Sequence, residues 1–191
     1  MRKKTEDLFE CTVFPNEYKV IGADLSLKRP SFCVLNIKYE DNASKITDIH
    51  FVTVDNKTDK KKTHGQLLHE IQKAFLDMWY AYECDKCFTF TIRENEIMKV
   101  KIPSERSLSK VVGVMDLVLW LLNKTDWCSI YPVTIKKLIT GSGKAEKSEV
   151  AAGLEKYIGK HDYKCDDESD AAAVAIAWLI QQGQIKELPN E

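Results

Sequence analysis

Four acidic side chains stand at the ends of predicted strands or at the start of a predicted helix. Asp24 ends a β-branched run, and Glu94 directly follows the β-rich run 87–93. Asp167 and Asp170 open an alanine-rich helical stretch, where a spacing of three places them at neighbouring positions on one face. A helix that packs on the sheet can bring its first turn to the strand ends. We therefore expect the four carboxylates to converge.

Converging carboxylates need a counter-charge, and an aspartate at the end of a buried strand is costly without one. Hard oxygen ligands suit Mg²⁺ or Mn²⁺. Two such ions about 4 Å apart can activate water and stabilise the leaving oxygen in phosphodiester hydrolysis. Taken alone, Asp167 and Asp170 also fit a simpler explanation, because acids in a first turn complement the helix macrodipole. The two-metal hypothesis therefore depends on Asp24 and Glu94.

A second candidate site is a segment rich in lysine and glycine between two short predicted helices. It is not a P-loop, because the first glycine of that motif is missing and Ala145 replaces the Ser/Thr after the lysine. Glu146 stands where a dinucleotide fingerprint needs its third glycine, so we expect no nucleotide cofactor. A glycine hinge that presents lysines and backbone amides can grip a nucleic-acid backbone, although ordinary exposed lysines give the same pattern. The candidate DNA-binding residues are Lys136, Lys137, Gly141, Gly143, Lys144 and Lys147.

Hydrophobic periodicity predicts the elements that position these residues. Alternating patterns predict strands at 18–26, 31–36, 45–54, 87–93 and 127–131, and helical periods occur at 64–79, 104–123, 133–140, 146–157 and from 167 onwards. Three strands joined by short turns, followed by alternating helices and strands, indicate an α/β fold. We expect a mixed five-stranded sheet, with three antiparallel strands and then parallel ones, flanked by helices.

Composition sets the broad class. The chain has 191 residues, of which 44% are hydrophobic, and a formal net charge of −1, so bulk charge predicts no polyanion partner. The longest apolar stretch, 171–180, is too short for a bilayer, and we expect a cytosolic protein with no membrane partner. Cys84 and Cys87 have zinc-like spacing, but no second pair completes four ligands, which favours structural thiols.

Several segments, in order, resemble the RuvC family of Holliday-junction resolvases, and most closely its bacteriophage members. They are Ile21-Gly-Ala-Asp24-Leu-Ser, Ile92-Arg-Glu94, Lys110-Val-Val-Gly-Val, the segment 132–150 and Asp167-Glu-Ser-Asp170-Ala. The most specific part is the pattern Thr-Gly-x-Gly-x-Ala-x-Lys that ends at Lys147. The resemblance starts near residue 19, so we expect one domain over 1–191 with residues 1–18 as an N-terminal extension.

This resemblance implies an RNase H-like fold, a homodimer, and metal-dependent paired cleavage of four-way DNA junctions in the cytoplasm, that of a bacterial host if the chain is phage-encoded. It implies two Mg²⁺ ions per active site, with Mn²⁺ able to substitute. By motif, the metal-binding acids are Asp24, Glu94, Asp167 and Asp170, and Lys147 lies near the scissile phosphate. Glu96 and Asp166 are alternatives to their neighbours; the spacing to Asp170 favours Asp167, and direct succession from the β-rich run favours Glu94.

Three other functions compete with this one. A nuclease of the same fold could act on flaps or forks, and a binding module could recognise branched DNA without cutting it. An actin-like nucleotide-binding fold shares the strand start but needs a second phosphate-binding turn, which the sequence lacks. Mg²⁺-dependent cleavage of junctions, forks and linear duplex separates these functions.

Overall fold

The computed structural model describes residues 14–40, 43–56, 61–95, 103–124 and 127–188. Its strands are β1 (Glu17–Asp24), β2 (Ser31–Glu40), β3 (Ala43–Thr53), β4 (Phe88–Glu94) and β5 (Cys128–Ile130). Its helices are α1 (His64–Ala81), α2 (Pro103–Leu121), α3 (Pro132–Thr140), α4 (Lys147–Ile158) and α5 (Asp166–Gln181). The elements predicted from periodicity are all present, with ends that differ by a few residues.

The five strands form one mixed sheet in the order β3-β2-β1-β4-β5. The β1–β2 and β2–β3 pairs are antiparallel, whereas β4 runs parallel to both β1 and β5. This confirms the predicted sheet. The parallel register pairs Ala23 with Arg93, so the next residues, Asp24 and Glu94, end adjacent strands at the same edge of the sheet.

Helices cover both faces of the sheet. Successive strand residues point to opposite faces, so neighbouring residues of one strand belong to different cores. Val20 packs in a core with α3, α4 and α5, and its neighbour Ile21 packs in a second core with α1 and α2. Phe14 contacts the rings of Tyr18, Phe90 and Trp178, with centroids 5.4 to 6.1 Å apart. Phe14 and Tyr18, which were predicted to belong to an extension, therefore pack in the core, and residues 1–13 lie outside the described part of the chain.

Gly22 allows α5 to lie directly on β1. A Cβ added at Gly22 would overlap the carbonyl oxygen of Ala171 and lie 2.8 Å from the backbone nitrogen of Ala175. Glycine is therefore needed here for the close approach of two backbones. The approach brings the N-terminal part of α5, which carries Asp170, to the end of β1.

Two further sequence predictions concern the surface and the thiols. No helix in the described part of the chain is long and apolar enough to cross a membrane. Cys84 is buried and Cys87 is partly buried just after α1, and both are free thiols.

Candidate active site

A cavity of about 200 Å³ opens where the ends of β1 and β4 meet the starts of α4 and α5. Its charged lining consists of Asp24, Glu94, Lys136, Lys147 and Asp170. The parallel pairing of β1 with β4 brings the two strand carboxylates together, and the packing of α5 on Gly22 adds the third. Three of the four predicted acids and the predicted catalytic lysine therefore line one cavity.

Asp24 stands at the electrostatic centre of this site. Burial is the largest cause that raises the pKa of its carboxyl from 3.8 to about 7; the negative charges of Asp170, Asp167 and Glu94 add to this rise, and the positive charge of Lys147 opposes it. The three other predicted acids are therefore close enough to repel Asp24. Together with burial, they outweigh the attraction of Lys147.

Glu94 is more exposed than Asp24, at the rim of the same cavity. Partial desolvation of its carboxyl and the charge of Asp170 raise its pKa, whereas Lys147 and Lys136 lower it. Glu96, the alternative to Glu94, lies outside the described residues. The roles of both remain predictions.

Lys147 and Asp170 form an ion pair across the cavity. Lys147 is the first residue of α4, and its backbone is held there by the capping box of Glu146 and Glu149. Burial lowers the pKa of its amine, but the hydrogen bond to Asp170 and the attraction of the other acids outweigh this effect, so the pKa is raised. Lys147 therefore stays protonated at neutral pH.

Asp167 does not line the cavity. Its Oδ2 lies 3.6 Å from an Nη atom of Arg29, in the turn between β1 and β2. Its charge nevertheless raises the pKa of Asp24, whereas the neighbouring Asp166 is exposed and contributes nothing there. This geometry favours Asp167 over Asp166. The contact with Arg29 was not predicted, because nothing in the turn sequence signals which way that side chain points.

The lysines of the lysine and glycine segment occupy two kinds of environment. Lys136 donates a hydrogen bond from Nζ to the carbonyl oxygen of Ala145 at 2.6 Å, so its amine lies in the cavity wall. Lys137 and Lys144 are exposed beside the cavity. Lys136 is therefore placed to act on Glu94, and the exposed pair is placed to meet a ligand from solvent.

The structure explains why glycine occupies two positions of this segment. Gly141 ends α3 with φ of 83°, the left-handed conformation that favours glycine. A Cβ added at Gly143 would lie 2.8 Å from Cγ1 of Val133, so Gly143 lets the loop pass close to α3. Both glycines shape the loop that presents Lys144 and Lys147.

The four acids have the donor atoms that a divalent ion needs, but their side chains are not arranged around a common point. Within the described residues, no three His, Cys, Asp or Glu side chains are close enough together to hold a metal. Cationic side chains take that place, since Lys147 pairs with Asp170 and Arg29 pairs with Asp167. Carboxylate oxygens are the donors that Mg²⁺ and Mn²⁺ prefer, and at Asp24 the attraction of Lys147 is outweighed by burial and by the charges of three acids. The residues therefore fit such an ion once these acids turn from their partners.

The sheet order and the acidic cavity define the class of protein as RNase H-like, with carboxylates at the ends of two parallel strands. The solved structure of Thermus thermophilus RuvC has this fold: its TM-score is 0.67 at 17% identity, over 89% of this chain and 99% of that one. The structure of Thermus thermophilus RuvC in complex with Holliday junction substrate gives a TM-score of 0.66 at 17% identity, over the same shares of the two chains. The RNase H-like prediction is confirmed.

Sequence comparison identifies the family. Residues 20–178 match the family model described as Crossover junction endodeoxyribonuclease RuvC. Proteins of that name from Ehrlichia ruminantium are 30% identical over 167 residues (strain Welgevonden) and 28% identical over 163 residues (strain Gardel), in each case 84% of this chain and 95% of the relative. The chain belongs to the RuvC family, as its motifs predicted. A closer likeness to bacteriophage members stays a prediction.

Proposed function

We propose that this chain is a divalent-metal-dependent endonuclease that resolves Holliday junctions by paired hydrolysis of phosphodiester bonds, in DNA recombination and repair. The observation that carries the proposal is the cavity that Asp24 shares with Glu94 and Asp170, while the charge of Asp167 also acts on Asp24 from outside the cavity lining. Its relatives are named crossover junction endodeoxyribonucleases. A cytoplasmic location belongs to the same proposal.

In this proposal Asp24, Glu94, Asp167 and Asp170 hold two ions of Mg²⁺, for which Mn²⁺ can substitute. Bound ions of this type activate water and stabilise charge on the leaving oxygen of a phosphodiester. Asp24 is the central ligand, because the charges of the other three acids all act on its carboxyl. A cation at Asp24 also keeps this carboxyl ionised at neutral pH, where its pKa of about 7 otherwise leaves it partly protonated.

In this proposal the lysines bind the phosphate groups of the DNA. Lys147 is positively charged and pairs with Asp170, so it can exchange this partner for a phosphate oxygen when Asp170 turns to an ion. Lys136 stays hydrogen-bonded to Ala145 and offsets the charge of Glu94. Lys137, on α3, and Lys144, in the loop that follows it, are exposed and contact the DNA backbone.

A binding module without cleavage fits the site less well. Burial and the charges of three other carboxylates raise the pKa of Asp24 to about 7, and at neutral pH this destabilises the folded protein. Such a cluster serves no purpose in gripping an anionic DNA backbone, which needs positive charge. The arrangement instead suits the ions that phosphodiester hydrolysis requires.

A homodimer is part of the proposal, and one face of α2 supports it. Leu117, Trp120 and Leu121 are 53%, 70% and 58% exposed on this face, which is unusual for large apolar side chains. Gly113 lies on the same face, one turn earlier, and a Cβ added there would meet no described atom within 4 Å. Glycine lowers helix stability, and no neighbour among the described residues requires it at position 113, but close packing of a second helix would use it.

The α2 face carries one positive and one negative side chain, so two copies of it can be electrostatically complementary. Lys110 lies one turn before Gly113, and Asp116 lies one turn after it, on the same side of the helix. Two copies of α2 that cross antiparallel near Gly113 bring Lys110 of each copy toward Asp116 of the other. A two-fold dimer of this kind matches the symmetry of a four-way junction and supplies two active sites for paired cuts.

The decisive experiment replaces Asp24 by asparagine and measures nicking of a synthetic four-way junction with Mg²⁺. We expect Asp24→Asn to abolish nicking and to keep junction binding in a gel-shift assay, since it removes a metal ligand and not a DNA contact. Asp77→Asn is the matched control, because Asp77 is exposed on α1 and pairs only locally with Lys73. Retained cleavage by Asp24→Asn contradicts the proposal.

The same assay separates the possible substrates. Wild-type protein is given four-way junctions, replication forks, flaps and linear duplex in equal amounts. We expect paired, symmetric cuts in the junction at a rate well above that for the other three. Equal rates on forks and flaps indicate the broader nuclease, and binding without any Mg²⁺-dependent or Mn²⁺-dependent cleavage indicates a binding module.

A further inference from the structure

The turn between β1 and β2 directs Arg29 toward the start of α5. One Nη atom of Arg29 lies 3.6 Å from Oδ2 of Asp167, and the other lies 3.4 Å from Oδ2 of Asp55, which follows β3. Both the Arg29 and the Asp167 side chains are mostly buried, with 28% and 23% of their surface exposed. Arg29 therefore bridges two carboxylates from different parts of the chain.

The position of Arg29 is fixed by its surroundings. The backbone nitrogen of Arg29 donates to Oγ of Ser26 at 2.9 Å. Asn56 is buried and donates from its backbone to Lys28 at 2.8 Å and from its side chain to Leu27 at 3.0 Å. These hydrogen bonds hold the turn against the segment after β3. These hydrogen bonds fix the backbone at Arg29, and from this position its side chain reaches Asp167.

The contact has a consequence for the cavity. Asp24, Glu94 and Asp170 line it, whereas Asp167 is held at its edge by Arg29. Asp167 still acts on Asp24 through its charge, so the two carboxylates are near each other. An ion that uses Asp167 as a ligand must share this carboxylate with the guanidinium or draw it away.

We propose that Arg29 competes with the divalent cation for Asp167 and thereby weakens metal binding at this site. The inference rests on the proposed function, which assigns Asp167 to the metal. Without metal, the guanidinium neutralises Asp167 and reduces the repulsion among the acids. With metal, the guanidinium repels the ion and holds one of its ligands. Arg29 therefore sets the concentration of Mg²⁺ or Mn²⁺ at which the site fills.

The test is a calorimetric titration of the full chain with Mn²⁺ in the absence of DNA. Arg29→Gln removes the charge, and we expect it to lower the Kd for Mn²⁺ about three- to tenfold, since unit charges about 4 Å apart in water change a binding constant about fivefold. Arg29→Lys retains the charge and should bind Mn²⁺ more like the wild type. Lys38→Gln is the control, because it removes one positive charge from the far end of β2 and should leave the Kd unchanged.

A second pair of measurements separates competition from a purely structural role. In the metal-free protein, Arg29→Gln should lower the melting temperature, and saturating Mn²⁺ should remove most of that difference. A structural role alone lowers it equally with and without Mn²⁺. Asp55→Asn should have the opposite effect on binding and raise the Kd about two- to fivefold, because it leaves the guanidinium entirely to Asp167.

Each result decides the inference. An unchanged or higher Kd in folded Arg29→Gln overturns it, as does equal destabilisation with and without Mn²⁺. If Arg29→Gln does not fold, Asp55→Asn carries the test, and an unchanged or lower Kd overturns the inference. Wild-type protein that neither binds Mn²⁺ nor cleaves junctions overturns the proposed function as well. Wild-type protein that does both, with variants unchanged, removes the role of Arg29 alone.

Discussion

The Lys147 amine pairs with the Asp170 carboxylate and so joins the first residue of α4 to the N-terminal part of α5. Both side chains line the cavity of Asp24. In the metal-free protein this ion pair offsets part of the acidic charge. The pair also keeps a protonated amine beside the proposed reaction site, where a phosphate can replace the carboxylate as its partner.

Lys147→Gln should slow junction nicking about 10²- to 10³-fold, because it removes a positive charge that stabilises the transition state at the phosphate. Mn²⁺ binding should be unchanged or tighter, since the variant also releases Asp170. Single-turnover nicking assays and a Mn²⁺ titration measure the two effects. Lys73→Gln, which breaks an exposed ion pair on α1, serves as the control and should change neither. Loss of Mn²⁺ binding in Lys147→Gln would assign this lysine to the architecture of the site instead.

The pKa of Asp24 predicts how stability depends on pH in the metal-free protein. The carboxyl titrates at about 7 when folded and near 3.8 in its ordinary environment, so the folded state binds more protons between these values. Stability must therefore fall as pH rises from about 4 to 7. Asp24→Asn lacks this loss and should be more stable than wild type by about 1 to 3 kcal/mol at pH 8, with little gain at pH 4.

Thermal or urea unfolding in a chelating buffer at pH 4 and pH 8 measures this difference. Mg²⁺ at pH 8 should raise the stability of the wild type and have a smaller effect on Asp24→Asn, because ions stabilise the state that binds them. Asp77→Asn is again the control, since its carboxylate is exposed on α1. A variant that is less stable than wild type at pH 8 would show that Asp24 does not sit among uncompensated charges.

Gly22 should tolerate no side chain. In Gly22→Ala the new methyl group overlaps the carbonyl oxygen of Ala171, which belongs to the α5 backbone and cannot move without the helix. We expect a loss of about 2 to 4 kcal/mol in unfolding free energy and a larger loss of nicking, because α5 carries Asp170 to the site. Gly65→Ala is the control, since its added methyl group lies 3.9 Å from its nearest neighbour. Denaturant unfolding and nicking rates measure both effects.

The sequence predicted the strand ends well because β periodicity and the parallel pairing of β1 with β4 leave few places for Asp24 and Glu94. It could not predict which acids line the cavity, since this depends on how α5 packs at Gly22 and where its first turn points. The sequence also could not show that Asp167 pairs with Arg29 and Asp170 with Lys147. Lys136 shows the same limit: its sequence context resembles that of Lys137, but the fold around Ala145 directs only Lys136 into the cavity wall.

The exposed face of α2 predicts how the chain assembles. Leu117→Glu should convert a dimer to a monomer, because it places a charge within the proposed two-fold contact, one helical turn from the crossing point at Gly113. Light scattering coupled to gel filtration measures the mass, and a junction assay should show single nicks replacing paired cuts. Leu188→Glu is the matched control, because Leu188 is similarly exposed, at 49%, and lies away from α2. A chain that is monomeric without any substitution, or one that stays dimeric in Leu117→Glu, would contradict this role of α2.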